Sequence, residues 1–195
     1  MPPGERRLQK LRQVAVHRQP DLTVVMENIH DPHNVSAVLR SCDAVGIMSV
    51  ALLYTVEPFP KIGKKSSSSA SKWLDRRRFT SVDECYATLR GEGFSIFATH
   101  LGSSAVPLYD LDLTGAAALV FGNEHRGVSE EAAGKADGNF HIPMMGMIPS
   151  LNVSVAAAVS VYEAFRQRFA AGKFAESALT PGARELLIQD WIRRS

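Results

Sequence analysis

The chain has 195 residues, 45% hydrophobic and 22% charged, an ordinary globular composition that can bury a core without covalent staples. Two cysteines, Cys42 and Cys85, with no Cys-x-x-Cys pair, argue against a disulfide framework or a zinc site and fit a cytoplasmic protein. The absence of an apolar run of about 18 residues excludes a helical membrane span, and the start "MPPGERRLQK" lacks the apolar core of a signal peptide.

In chain order, Glu5 to Arg18 reads as an amphipathic helix with Leu8, Leu11 and Val14 or Ala15 at helical spacing. "LTVVME" is a buried strand. "DPHNVSAVLRSCDAVG" is a helix that Asp31 caps, Pro32 opens and Gly46 ends. "IMSVALLY" is the next strand, followed by a long polar loop, "TVEPFPKIGKKSSSSAS". "SVDECYATLRGEG" is a helix with a glycine stop. "FSIFATHL" and "AAALVFG" are strands, "SEEAAGKA" a short helix and "GNFHIPM" a short strand. Asn152 to Arg168 is a long helix, and "TPGARELLIQDWIRR" closes the chain as an amphipathic helix that packs back. Strands apolar on both faces alternate with helices, which predicts a mostly parallel α/β sheet with helices on both sides.

The net charge is only +2, but the basic residues cluster. Arg6, Arg7, Lys10, Arg12 and Arg18 lie near the start, a second group spans Lys61 to Arg78, and Arg166, Arg168, Lys173, Arg193 and Arg194 lie near the end. Asp110 to Asp137 is more acidic. Basic ends around a less basic middle suggest a polyanion partner such as nucleic acid; any single cluster reads equally well as a solvated helix face.

Polar residues concentrate at three strand ends, where open α/β sheets bind ligands. The first is "ENIHDPHNVSAVLR". Asn34 and Arg40, six residues apart, do not share a helix face at about 100° per residue; they converge only if Asn34 points off the helix start. Alternatively Asn34 satisfies helix-end amides and Arg40 pairs with a surface carboxylate. The second is "LVFGNEHRGVSEE", where Gly122 permits close backbone approach before Asn123 and Glu124; its plain reading is a turn with an exposed Glu. It is neither Gly-x-Gly-x-x-Gly nor a phosphate loop, so a generic nucleotide-binding fold is disfavoured. The third is "HIPMMGMIPSLNVSVAAAV". Pro143, Gly146 and Pro149 bend it, three methionines offer soft apolar surface, Ser150 is a candidate N-cap, and the small side chains that follow allow another helix close. No metal constellation and no Gly-x-Ser-x-Gly nucleophile elbow is found.

In order and spacing, "NIHDPHNVSAVLRSCDAVGI", "SASKW", "LVFGNEHRGVSEE" and "IPMMGMIPSLNVSVAAAVSVYEAFRQR" together resemble the SPOUT class of RNA methyltransferases, specifically the TrmH family of 2′-O-ribose methyltransferases, over nearly the whole chain. The resemblance implies a sheet flanked by helices with a deep C-terminal trefoil knot, an S-adenosylmethionine site inside that knot, and a homodimer with a composite active site. It implies catalytic positions at Asn34, Arg40, Glu124, Ser150 and Asn152, and cofactor positions at Thr99, Gly122, Ile142 and Leu151. It divides the chain into a basic helical extension (1–20), a catalytic unit (21–170) and a C-terminal helical extension (171–195). "RRLQKLRQVAVHRQPDLTVVMENIHDPHNVSAVLR" is similar to the relatives that methylate guanosine 18 of the tRNA D-loop, with Arg6, Arg7, Arg12, Arg18, Arg166 and Arg168 expected on tRNA phosphates. The alternatives are the same chemistry on ribosomal RNA or the anticodon loop, and a non-catalytic RNA-binding module.

Overall fold

In the computed structural model, which describes residues 4–59 and 70–194, the apolar runs become strands and the amphipathic runs become helices. Along the chain these are α1 (Glu5–Val16), β1 (Leu22–Glu27), α2 (Pro32–Ala44), β2 (Ser49–Leu53), β3 (Asp75–Phe79), α3 (Val82–Gly91), β4 (Ser95–Thr99), β5 (Val106–Pro107), β6 (Ala117–Phe121), α4 (Glu130–Lys135), β7 (Gly138–His141), α5 (Val153–Ala170) and α6 (Pro181–Arg194). The seven strands form one sheet in the order β3-β2-β1-β6-β4-β7-β5, and every pairing is parallel.

Alternation along the strands divides the core into two layers. Leu22, Val24 and Met26 face one way with Leu119 and Phe121, against Val35, Val38 and Leu39 of α2 and Ala157, Val161 and Ala164 of α5. Val25, Ala51, Ala118 and Val120 face the other way, against Cys85, Tyr86 and Leu89 of α3 and Ala132 and Ala133 of α4. The small residues of α5 let it lie closely on α2, so the helix partner that they call for is found within the chain. The terminal helices form a third cluster, in which Leu11 and Ala15 of α1 pack on Ile188 and Trp191 of α6. Trp73 meets Trp191 edge-on at 5.8 Å.

Two strands escape the sequence reading. β3 is built from "DRRRF" and forms one edge of the sheet, Val50 pairing with Arg76 and Leu52 with Arg78. Charge conceals it, and charge suits an edge strand because it discourages further pairing. Arg77 is held by Glu92 at 2.7 Å, and Arg78 lies over the Phe59 ring at 5.1 Å. β5, only two residues long and containing Pro107, is the other edge. Lys61, Lys64, Lys65 and the serine run up to Ser69 fall outside the described residues.

Arg18 and Arg168 do not fit the expectation that they hold RNA phosphates. Arg18 is 2% exposed and Arg168 fully buried. Arg18 donates to the Ile47 carbonyl at 2.9 Å and to Asp43 at 2.6 Å, with its guanidinium 4.9 Å from the Trp191 ring centre. Arg168 ties α5 to the segments entering β1 and β6 through Asp21, Leu113 and Gly115. Both are structural cations, which basic-residue counting cannot tell from surface ones.

Candidate active site

β6 lies between β1 and β4 although four strands separate it from β1 in sequence. Register levels the ends of these strands, Met26 with Phe121 and Ala98 with Val120. Three loops therefore meet at the C-terminal ends of the central strands: 28–31 after β1, 122–129 after β6, and 142–152 between β7 and α5.

Glu124 joins the first two. Its carboxylate accepts the His30 amide at 3.0 Å, the Asp31 amide at 3.1 Å and the Asn34 side-chain amide at 2.8 Å. This places a negative charge on the free amides at the start of α2, which a helix N-terminus stabilises. Burial opposes the Glu124 charge, but the hydrogen bond from Asn34 and those from backbone amides hold its pKa below the ordinary 4.5. Asn34 lies in the first turn of α2, which Asp31 caps by accepting the His33 amide at 2.8 Å. The plain reading of Asn34 as a helix-end acceptor is thereby replaced: Asp31 does that work, and Asn34 is free to bridge. Its carbonyl oxygen accepts Asn152 at 3.1 Å, so Glu124, Asn34 and Asn152 form one hydrogen-bonded chain across all three loops.

Asn152 rather than Ser150 caps α5. Its side-chain oxygen takes the Ser154 amide at 2.9 Å and the Ser154 hydroxyl at 2.6 Å. Ser150, two residues earlier, is exposed and, among the described residues, makes no hydrogen bond. Arg40 is also exposed and lies about 9 Å along the helix from Asn34. Among the described residues it has no hydrogen-bond or ion-pair partner, so a single chain does not bring Arg40 to the Glu124 chain.

The residues expected around the cofactor stand at the same strand ends. The Thr99 hydroxyl, at the end of β4, donates to the Val120 carbonyl at 3.0 Å. Gly122 follows β6, and a Cβ there would sit 2.1 Å from the backbone of Gly127 and Val128. Gly122 is thus required by the fold of its own loop, which Asn123 and Gly127 close with reciprocal amide bonds of 3.0 and 2.8 Å. Ile142 is half-buried, packed on the α2–α5 layer. Leu151 is 37% exposed, and beside it Met145, Met147 and Ile148 are 94%, 100% and 68% exposed. Among the described residues 142–151 makes no backbone hydrogen bond. Its amides, carbonyls and apolar side chains suit a ligand with a flat apolar ring and polar edges, or a second subunit. No group of three or more metal-ligating side chains occurs among the described residues, and no described helix is long and apolar enough to cross a membrane.

Sequence reasoning missed Asn28 and Asn123. Asn28 has a left-handed backbone, φ 50°, and Asn123 donates to its carbonyl at 2.8 Å. Asn123 stands between Gly122 and Glu124, and Asn28 lies within the first quoted motif, but their bonds are visible only in three dimensions.

Residues 21–162 match the model of the SpoU rRNA Methylase family. The chain belongs to this family. Among curated SpoU relatives, the tRNA (guanosine(18)-2′-O)-methyltransferase of Thermus thermophilus is 43% identical over 190 residues, with 97% of both chains covered. Among solved structures, the TrmH/SpoU tRNA modifying enzyme of A. aeolicus superposes with a TM-score of 0.91 at 35% identity, covering 97% of this chain and 96% of that one. The SpoU methyltransferase AviRb of Streptomyces viridochromogenes in complex with AdoMet superposes with a TM-score of 0.69 at 26% identity, covering 77% of this chain and 59% of AviRb.

Proposed function

We propose that this SpoU-family protein transfers a methyl group from S-adenosylmethionine to the 2′-hydroxyl of guanosine 18 in the tRNA D-loop, and does so in the cytoplasm as a homodimer. The observation that carries the chemistry is the Glu124–Asn34–Asn152 chain, three polar side chains locked together where three loops meet at the strand ends. The choice of guanosine 18 rests on the end-to-end match to relatives that bear that name. We read loops 122–127 and 142–152, with α5, as the trefoil knot of the family. Supporting this is the insertion of β6 between β1 and β4 and the return of α5 onto α2. We further read the paired terminal helices as an appendage to the catalytic unit of 21–170, presenting Arg6, Arg7 and Arg12, with the exposed Arg166 of α5, to tRNA phosphates.

The bound cofactor supplies an electrophilic methyl group; the protein must align the ribose hydroxyl with it. Exposed apolar side chains at Met145, Met147 and Leu151, together with free backbone groups of 142–151, fit its adenosine. Arg40 stabilises the alkoxide that develops as the hydroxyl attacks, or grips a phosphate that accepts the proton. General-base catalysis is unsuited to a guanidinium, which keeps its proton inside proteins. Since Arg40 stands apart from the chain of Glu124, Asn34 and Asn152 on its own subunit, a second copy is needed to complete the site. The exposed stripe of Leu151, Val155, Tyr162 and Phe169, at helical spacing from the start of α5 onward, is the surface that such a copy would cover.

Labelled methyl transfer to tRNA transcripts followed by mapping tests the reading. Methylation on the D-loop ribose is expected; a base-methylated product, or activity on ribosomal RNA or the anticodon loop instead, overturns it. Arg40→Lys, which loses the planar fork, should slow turnover by roughly 10²-fold with the dimer intact.

A further inference from the structure

We propose that Asn28 is a positioning residue for the methyl-transfer site, acting together with Asn123 as a clasp that sets the two backbone amides holding Glu124. The inference rests on the functional reading above. The residue is unusual on two counts. It is the non-glycine residue with positive φ among those described, in a region that asparagine tolerates better than most side chains. It is also a hub. Its side-chain oxygen accepts the amides of Thr55, Val56 and Glu57 at 3.0, 3.2 and 3.2 Å, and its side-chain amide donates to the Thr55 hydroxyl at 3.0 Å. Its own amide donates to the Leu53 carbonyl at 2.9 Å, and its carbonyl accepts Asn123.

The bonds close into a ring. Asn123 accepts the Arg126 amide at 3.3 Å, the Arg126 guanidinium reaches the Glu57 carboxylate at 2.7 Å, and the Glu57 amide returns to Asn28. Inside this ring the chain turns through 28–31. The next residue, Ile29, has its carbonyl held by the Tyr54 hydroxyl at 2.9 Å. The two amides after that, of His30 and Asp31, are the ones that grip Glu124. The left-handed turn at Asn28 therefore decides where those amides point, and Asn123 fixes the turn to the residue preceding Glu124. A site that works by alignment is sensitive to a displacement of about 1 Å, so loosening this ring should slow turnover without removing any group that touches substrate.

Asn28→Gly keeps the left-handed backbone accessible and deletes the side-chain bonds; Asn28→Asp keeps the acceptor oxygen. Amide hydrogen exchange at His30 and Asp31 is measured with turnover on tRNA and cofactor affinity. In Asn28→Gly, protection of both amides and turnover per folded molecule should each fall about tenfold, while the Kd for S-adenosylmethionine stays within about threefold. Asn28→Asp should recover most of both. Unchanged protection, turnover within about twofold of wild type in the folded variant, or no recovery with Asp, overturns the proposal. If Asn28→Gly does not fold, Asn123→Ala, which frees the Asn28 carbonyl, is read in the same way. The exchange measurement needs no activity. Lost protection in a chain that methylates no tRNA would therefore sustain the clasp and sink the functional reading.

Discussion

Replacing Arg168 by Met separates structural arginines from those proposed to bind RNA. The side chain is fully buried and its guanidinium donates to the Leu113 carbonyl at 2.9 Å, to Gln19 at 3.2 Å, and to the side chain and carbonyl of Asp21 at 2.6 and 2.9 Å. It also reaches the Gly115 carbonyl. Methionine preserves most of the stem and removes every donor. The Asp21 carboxylate then keeps only Lys173, at 2.9 Å, and the buried Leu113 carbonyl and the exposed Gly115 carbonyl lose their donor. Breaking a buried pair from one side costs about 3–5 kcal/mol. The Asp21 side chain is 33% exposed, so water recovers part of the loss and about 3 kcal/mol is the expected cost. At about 2–4 °C per kcal/mol for a chain of this size, the midpoint should fall by about 6–12 °C. Thermal unfolding by circular dichroism reads this. The salt dependence of tRNA binding, measured where the variant is folded, should be unaltered, whereas Arg12→Ala should leave the midpoint unchanged and make the slope shallower by about 0.7–0.9. An Arg168→Met protein with a wild-type midpoint and a shallower slope would refute the structural assignment.

Glu124→Gln keeps the shape but turns one acceptor into a donor facing the His30 amide; a loss of about 1–3 kcal/mol in the site corresponds to methyl transfer slowed by roughly 5–150-fold, and a rate within twofold of wild type would contradict the proposed role. Gly122→Ala drives a Cβ to 2.1 Å from backbone atoms of Gly127 and Val128, which cannot move as a flexible side chain could. We expect a loss above about 2 kcal/mol in urea unfolding, and a midpoint equal to wild type would show that the loop gives way easily. Asp21 and Glu124 are both held below their ordinary values of 3.8 and 4.5. Burial opposes each charge, but hydrogen bonds from Lys173 and Arg168, and from Asn34 and backbone amides, outweigh it. A depressed folded pKa stabilises the fold above the unfolded value and loses that contribution as pH falls through the folded one. Stability should thus be level from about pH 7 to 5 and decline below about 4.5; stability that rises on acidification to about pH 3 would contradict the sign.

The alternation of buried strands and amphipathic helices was legible because it follows from side-chain periodicity, and β1, β2, β4, β6 and β7 emerge where apolar runs stand. β3 was not, because "DRRRF" carries the charges of an edge and its pairing with β2 is a long-range fact. At the site, Asn34, Glu124 and Asn152 were legible through resemblance, and their convergence is what the structure adds. The cap of α5 was misplaced by two residues. Ser150 and Asn152 are both good cap types, and only the direction in which the loop enters the helix decides between them. Arg18 and Arg168 were misread for a related reason: a basic residue near a chain end looks the same in sequence whether it faces water or is buried against a partly exposed aspartate.

The same contrast separates the parts of the site. Glu124, Asn34 and Asn152 are bound to one another and to backbone, Asn28 and Asn123 brace that group, and the arrangement exists before any substrate arrives. Arg40 is the opposite, exposed and without a partner among the described residues. Groups that are satisfied internally have little left to offer a transition state beyond position. A cation with open donors can be directed wholly at the charge that appears during transfer. Removing a member of the fixed group should therefore disturb alignment and local order together. Removing the Arg40 fork should slow turnover while the amide protection around Glu124 remains as it was. Measured in one set of variants, that difference distinguishes residues that build the site from Arg40, the residue proposed to act within it.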